Sequence, residues 1–289
     1  MGSKEMPEKS TESSEQTAQP ELKDVRRFWN ENPLFTGESK HLPGARDFFE
    51  EHEKGTLHEY SGQLDPIFLR HIGPGSKVLD VGCGIGYWVD KFCRLGADVS
   101  ACDLSDNSIS ITQRRCVLYG LASRLAVANA EQLPYADASF DQVNCQGVIH
   151  HTPHTERCLE EFHRVLKPGG QLCFSVYFKV WVLRSPLAFR AIMGMFRPWI
   201  ALPGRGREQM SDTLSPAEFV RRYDGLGNPI GKAYTLPELK SMMRQRFRIL
   251  EKRRVVLPRR ALPFPLSDRL HKFLANRLGL TIVLRCQKT

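Results

Sequence analysis

Residues 78–86 read VLDVGCGIG and run directly into YWVDKFCRLG at 87–96. A short branched apolar run that stops at glycines reads as a strand, and the apolar spacing after it reads as a helix. Gly82, Gly84 and Gly86 therefore occupy the turn between them. Glycine has no Cβ, so such a turn can bend sharply and lie close against a ligand, while the helix start offers unpaired N–H groups. This is the layout of a nucleotide cradle, and its spacing narrows the nucleotide. A dinucleotide fingerprint places a third glycine three positions after the second, at 87, beneath the pyrophosphate. Tyr87 and Trp88 stand there instead. The Lys-Ser/Thr pair of a phosphate-binding P-loop is missing too. The G-x-G-x-G spacing argues against NAD, FAD and nucleoside triphosphates.

Working outward, KVLDV, ADVSAC, RLAVAN, FDQVNCQ and QLCFSVY alternate with helical stretches between Lys77 and Tyr177. Strands alternating with helices predict a parallel sheet. KPGG at 167–170 reads as a turn before the last of these strands. The chain divides into a polar, disordered tail (1–21), an N-terminal helical cap (22–75), the α/β core (76–177), a lid rich in aromatics and arginines (178–234) and a C-terminal completion of the core (235–289). In that last part FRILEKRRVVL and LTIVLRC are strands expected to pair antiparallel at one edge of the sheet.

With 289 residues, 41% hydrophobic and 25% charged, the chain suits one elaborated globular domain and excludes a disordered or fibrous protein. The formal charge of +9 is unevenly placed: residues 177–289 hold 23 basic and 7 acidic side chains, so the basicity belongs to the C-terminal third and to its partners. Eight cysteines form no C-x-x-C pair, which argues against a zinc ribbon or a thioredoxin-like site and predicts reduced thiols; no metal site is expected. The N-terminal stretch has no apolar signal-like run, and Arg184, Arg190 and Arg197 interrupt the apolar segment 180–202 that might otherwise span a bilayer. These features predict a cytoplasmic location.

Five signals in order, VLDVGCGIG, VSACD ending at Asp103, ANAEQLPY, SFDQVNCQGVIHH and RVLKPGGQLCFSV, resemble the class I S-adenosylmethionine-dependent methyltransferase family, in a bacterial branch like that of the quinone-biosynthesis enzymes. The resemblance covers about Lys77 to Tyr177. It implies a Rossmann-like α/β fold, a seven-stranded, mostly parallel sheet with an antiparallel last strand, helices on both faces, an N-terminal helical cap and a lid inserted after the fifth strand. It implies S-adenosyl-L-methionine as cofactor. By this resemblance Asp80, Gly82, Cys83, Gly84 and Gly86 hold the loop and the cofactor's amino end, and Asp103 accepts the ribose hydroxyls. Leu104 packs on adenine. Asn129 stands where the family usually has Asp, with Ala130 and Glu131 beside it, and Gln146 closes the fourth strand.

Methyl transfer depends mainly on holding the acceptor in line with the methyl-sulfur bond, and a base is an additional option for an oxygen, nitrogen or carbon acceptor. Candidates at the C-terminal sheet edge are His150, His151 and Tyr177, with Tyr60 closing from the cap. In the lid, Trp181, Phe189, Phe196 and Trp199 alternate with Lys179, Arg184, Arg190, Arg197, Arg205 and Arg207, a basic amphipathic mixture suited to an anionic membrane surface. A small, hydrophobic or lipid-like acceptor is expected, with a peripheral site on the inner membrane face. RNA is the rival acceptor, disfavoured because NCQGVIHH lacks the Asn/Asp-Pro-Pro-aromatic motif of base-amine enzymes. A catalytically silent cofactor-binding subunit is the remaining alternative.

Overall fold

A computed structural model describes residues 21–60, 62–196, 204–209, 215–257 and 266–289. The tail at 1–20, and Arg197 and Trp199 of the lid, lie outside the described residues. So do the side chains of Tyr60 and Phe196.

The run around VLDV becomes β1 (Lys77–Val81), whose last four residues are all buried. Successive side chains alternate between faces of the sheet. Val78 joins a core with Ile67, Phe68, Val89, Phe92 and Val99 on one face. Leu79 and Val81 join Val143, Leu159, Phe162 and Leu172 on the other. Helices therefore cover both faces, as a continuous apolar strand requires.

The remaining strands are β2 (Asp98–Asp103), β3 (Ser123–Val127), β4 (Phe140–Gln146), β5 (Leu166–Phe178), β6 (Ala233–Tyr234), β7 (Phe247–Val255) and β8 (Thr281–Lys288). Their order across the sheet is β3-β2-β1-β4-β5-β8-β7. β1 to β5 run parallel to one another, and β8 runs antiparallel to both β5 and β7. The sheet has eight strands and not the expected seven, because two-residue β6 pairs with the end of β5. The KPGG segment also differs from expectation. It is drawn into β5, with Gly169 at φ +74° taking up the irregularity where the β4–β5 register shifts.

The strand order reverses between β1 and β4, and open α/β sheets bind ligands at the carboxyl ends of strands beside such a reversal. Two helices of the cap cover this edge. α1 (Leu22–Glu31) is tied to the start of α5 (Asp106–Tyr119): the Asn30 side-chain oxygen accepts the Ser105 hydroxyl and the Asn107 N–H, at 3.1 and 3.0 Å. α2 (Arg46–Tyr60) buries Phe48 and Phe49 against Ile85 of the glycine turn. From the other side comes the lid, with α7 (Trp181–Arg184), α8 (Pro186–Phe196) and α9 (Pro216–Arg222).

Arg205 and Arg207, expected on the basic amphipathic surface of the lid, turn inward. The Arg207 guanidinium lies 2.7 Å from Glu38 and that of Arg205 3.6 Å from it, both nearly buried. A buried guanidinium needs a countercharge, and Glu38 supplies it from the cap. Cap and lid are thus joined over the sheet edge. All eight cysteines are free thiols, seven of them buried.

Candidate active site at the carboxyl edge of the sheet

The glycine turn begins where β1 ends. Gly82, Gly84 and Gly86 all have positive φ, at +70°, +55° and +78°. Gly86 is the N-cap of α4 (Tyr87–Arg94), so the open N–H end of that helix faces the turn. The Gly82 and Cys83 N–H groups donate to the Cys102 carbonyl at 2.7 and 3.0 Å, which sews the turn to the end of β2. One residue further along β2, Asp103 accepts the Gly84 N–H and the Ser105 N–H, both at 2.9 Å. Burial raises the Asp103 carboxyl, against the pull of these backbone bonds.

Behind the turn, Asp80 and Asn144 stand on adjacent strands. Asn144 Nδ2 donates to Asp80 Oδ1 at 2.6 Å, but Asp80 Oδ2 and Asn144 Oδ1 are buried with no partner among the described residues. Unpaired buried acceptors are rare and costly, and two together ask for a donor. Burial is the main reason the Asp80 carboxyl is raised to about 7, with the nearby Asp103 charge adding and the Asn144 bond opposing. A cationic amino group meets this demand, and the positive-φ turn beside it accepts a close backbone approach. The residues therefore fit the amino end of S-adenosylmethionine.

The other expected contacts are mixed. Asn129 Oδ1 closes a turn by accepting the Glu131 N–H at 3.0 Å, with Ala130 buried between them. The Glu131 carboxylate instead accepts the His154 N–H at 2.7 Å and so faces the start of α6 (Thr155–Val165). Leu104 is half-buried beside Asp103. Gln146 accepts the indole N–H of Trp88, an aromatic that the sequence reading used only to exclude a dinucleotide.

Gly147 turns the chain out of β4 into a single helical turn, Ile149–His151, which places both histidines under the lid. His151 Nδ1 lies 2.6 Å from the Ile230 carbonyl, and Nε2 lies 3.1 Å from Asp224 Oδ2. The Tyr177 hydroxyl donates to that same carboxylate oxygen. Burial works to raise the Asp224 carboxyl, but the hydrogen bond and charge of His151, aided by Tyr177, hold it well below the usual range. His150 stacks between, with ring centroids 4.1 Å from His151 and 4.3 Å from Tyr177. It is buried, and its Nδ1 has no partner among the described residues. Burial, followed by the His151 charge, pushes the His150 imidazole well below its ordinary value. Trp29 of the cap packs edge-on against His151 at 5.1 Å.

The sequence reading missed Asp224. A carboxylate in an irregular segment gives no local sign of its partner. Beyond Tyr177, a narrow apolar cleft with a cavity volume of about 20 Å³ lies between lid and sheet, walled by Leu183, Phe219, Val220, Tyr223 and Leu280.

The family profile described as "Methyltransferase domain" matches residues 79–174. A ubiquinone biosynthesis O-methyltransferase of Hahella chejuensis is 35% identical over 177 residues, covering 59% of this chain and 70% of that protein. A protein of the same description from Xanthomonas axonopodis pv. citri is 32% identical over 164 residues, covering 54% and 66%, so the match spans about two thirds of this relative's length. Among solved structures, the geranyl diphosphate C-methyltransferase of Streptomyces coelicolor A3(2) superposes with a TM-score of 0.58 at 16% identity, covering 94% of this chain and all of that one. Joined to the glycine turn, Asp103 and the unsatisfied acceptors behind them, these likenesses assign the chain: it belongs to the class I S-adenosylmethionine-dependent methyltransferase family.

Proposed function

We propose that the protein transfers the methyl group of S-adenosylmethionine to a small hydrophobic acceptor. The observation that carries this reading is the apolar cleft, which shares Tyr177 with the buried histidine cluster. An apolar molecule in the cleft meets the phenols of Tyr177 and Tyr223 among apolar walls, and a reacting atom would sit at the Tyr177 end. Asp80 and Asn144 would receive the cofactor's amino end, the glycine turn its chain, Asp103 its ribose and the Asn129–Ala130 turn its adenine. The cofactor supplies an electrophilic methyl on a positively charged sulfur. The protein's part is to orient the acceptor, exclude water and take up a proton. The ubiquinone-biosynthesis description of the relatives agrees with a lipid-like acceptor.

Delivery from an anionic lipid surface belongs to the same proposal. Trp181 (58% exposed) and Leu187 (81%) project from the lid near Lys179, Arg184 and Arg190, an apolar and cationic combination that lies well on such a surface. No helix among the described residues is long and apolar enough to cross a membrane. Incubation with methyl-labelled S-adenosylmethionine and host extract tests the reading. Label in the organic-soluble fraction is the expected result. Label in RNA would overturn the choice of acceptor, and binding of cofactor without any labelled product would make this a silent subunit. Cosedimentation with vesicles containing anionic lipid, lost in Trp181→Ala, checks the delivery route.

A further inference from the structure

One donor atom from each of His150, His151 and Asp224 lies within 4.8 Å of the other two. The histidines are 2% and 4% exposed, and the Asp224 side chain is 22% exposed. Two imidazoles and a carboxylate suit divalent first-row transition ions, whereas Mg²⁺ and Ca²⁺ take oxygen donors. His150 adds a second sign of a ligand, because its buried Nδ1 has no partner among the described residues and such groups are rare. We propose that His150, His151 and Asp224 bind one divalent transition-metal ion, which joins the lid to the carboxyl edge of the sheet.

The spacing agrees with this. Donors about 2.1 Å from a shared ion, at angles of about 90° to 110°, stand roughly 3.0 to 3.4 Å apart. His151 Nε2 and Asp224 Oδ2 are 3.1 Å apart. Opposite donors on such an ion are at most about 4.2 Å apart, so a small side-chain rotation suffices to draw in the third. The surroundings agree as well. His151 Nδ1 lies 2.6 Å from the Ile230 carbonyl and 3.4 Å from the Asn228 amide nitrogen, and the closer partner, an acceptor, favours the proton on Nδ1. A histidine that ligates a metal commonly gives its other N–H to a backbone carbonyl in this way. The Tyr177 hydroxyl donates to Asp224 Oδ2 and orients the carboxylate. At Nε2 a proton and the ion compete for the same lone pair. Lys232, whose charge reaches His150, is held by the Thr152 and Pro153 carbonyls at 2.8 and 2.7 Å. The histidines follow β4 and Asp224 follows α9, so the ion ties two segments that are 73 residues apart between His151 and Asp224.

The test takes the whole chain, stripped of metal with a chelator, and titrates it with Zn²⁺ in a calorimeter. One equivalent should bind, with a Kd below about 10 μM. His150→Ala and Asp224→Asn should each weaken binding at least about 100-fold, since losing even an outer contact of a metal ligand costs roughly 10- to 100-fold. Affinity for S-adenosylmethionine within about twofold of wild type shows that these variants keep the fold. His163→Ala, on α6, should bind Zn²⁺ like the wild type. Co²⁺ in the wild-type chain gives a readout that needs no variant: the ring resonances of two histidines should move far outside the ordinary proton NMR range. The absence of a single tight equivalent would overturn the proposal. So would Zn²⁺ affinity unchanged in both variants, or Co²⁺ signals from fewer than two histidines. No acceptor or turnover enters these readouts, so they decide the metal site whether or not the acceptor reading holds.

Discussion

Asn144 Nδ2 lies 2.6 Å from Asp80 Oδ1, and the second oxygen of the aspartate and the carbonyl oxygen of the asparagine face the interior with no partner among the described residues. Two strands that are neighbours only because the chain order reverses between β1 and β4 thus create a demand for a cation at the base of the glycine turn.

The pH dependence of cofactor binding follows from this pair. With the Asp80 carboxyl raised to about 7, the free protein near neutrality is a mixture of neutral and ionised forms, and a cationic amino group prefers the ionised one. Affinity for S-adenosylmethionine should therefore fall about tenfold between pH 8 and pH 6, as measured by calorimetric titration. Stability of the free protein runs the other way. A carboxyl raised on folding binds its proton more tightly in the folded state, so its contribution weakens as pH rises from the usual carboxylate range to about 7, then levels. Asp80→Asn should bind cofactor at least tenfold more weakly while unfolding no more easily at pH 8. A pH-independent affinity would contradict the assignment.

Gly82 can be replaced only at a cost. A Cβ there would collide with the Val148 methyl groups, and the residue sits at φ +70°. Gly82→Ala should lose roughly 2 kcal/mol or more of unfolding free energy. Adding Val148→Ala should return the steric part and leave about 1 kcal/mol for the left-handed backbone, separable by denaturant titration of the two variants.

The tie between cap and lid rests on Glu38. Substituting Gln keeps the shape but leaves the buried Arg205 and Arg207 guanidinium groups without their carboxylate. Breaking one side of a buried charge cluster costs about 3 kcal/mol, so Glu38→Gln should shift the denaturation midpoint downward by that equivalent. The midpoint of Arg124→Ala, whose pair with Asp98 is exposed, should barely move.

Phe219 walls the apolar cleft and packs on Phe189 at 5.4 Å. Phe219→Ala should raise the KM for the acceptor about tenfold, the scale of losing a buried aromatic contact, and change cofactor affinity little. A fall in kcat alone, with KM intact, would remove the cleft as the acceptor site.

The sequence by itself determined the parts of this protein whose signals are local. VLDVGCGIG needed only its own apolar run and glycine spacing to define β1, the turn and α4. Asp103 followed because it ends the next strand, and the alternation of strands and helices defined the parallel sheet. Tertiary structure decided the rest, since those groups acquire meaning only from partners far along the chain. Asp224 reaches His151 across 73 residues. Glu38 reaches Arg207 across 169, and this turns two arginines expected on the lid's basic surface into buried ties. Residue type and spacing fix which backbone forms, because those depend on neighbouring atoms. Whether a charge is solvated or paired depends on what the folded chain packs against it, and no local pattern encodes that.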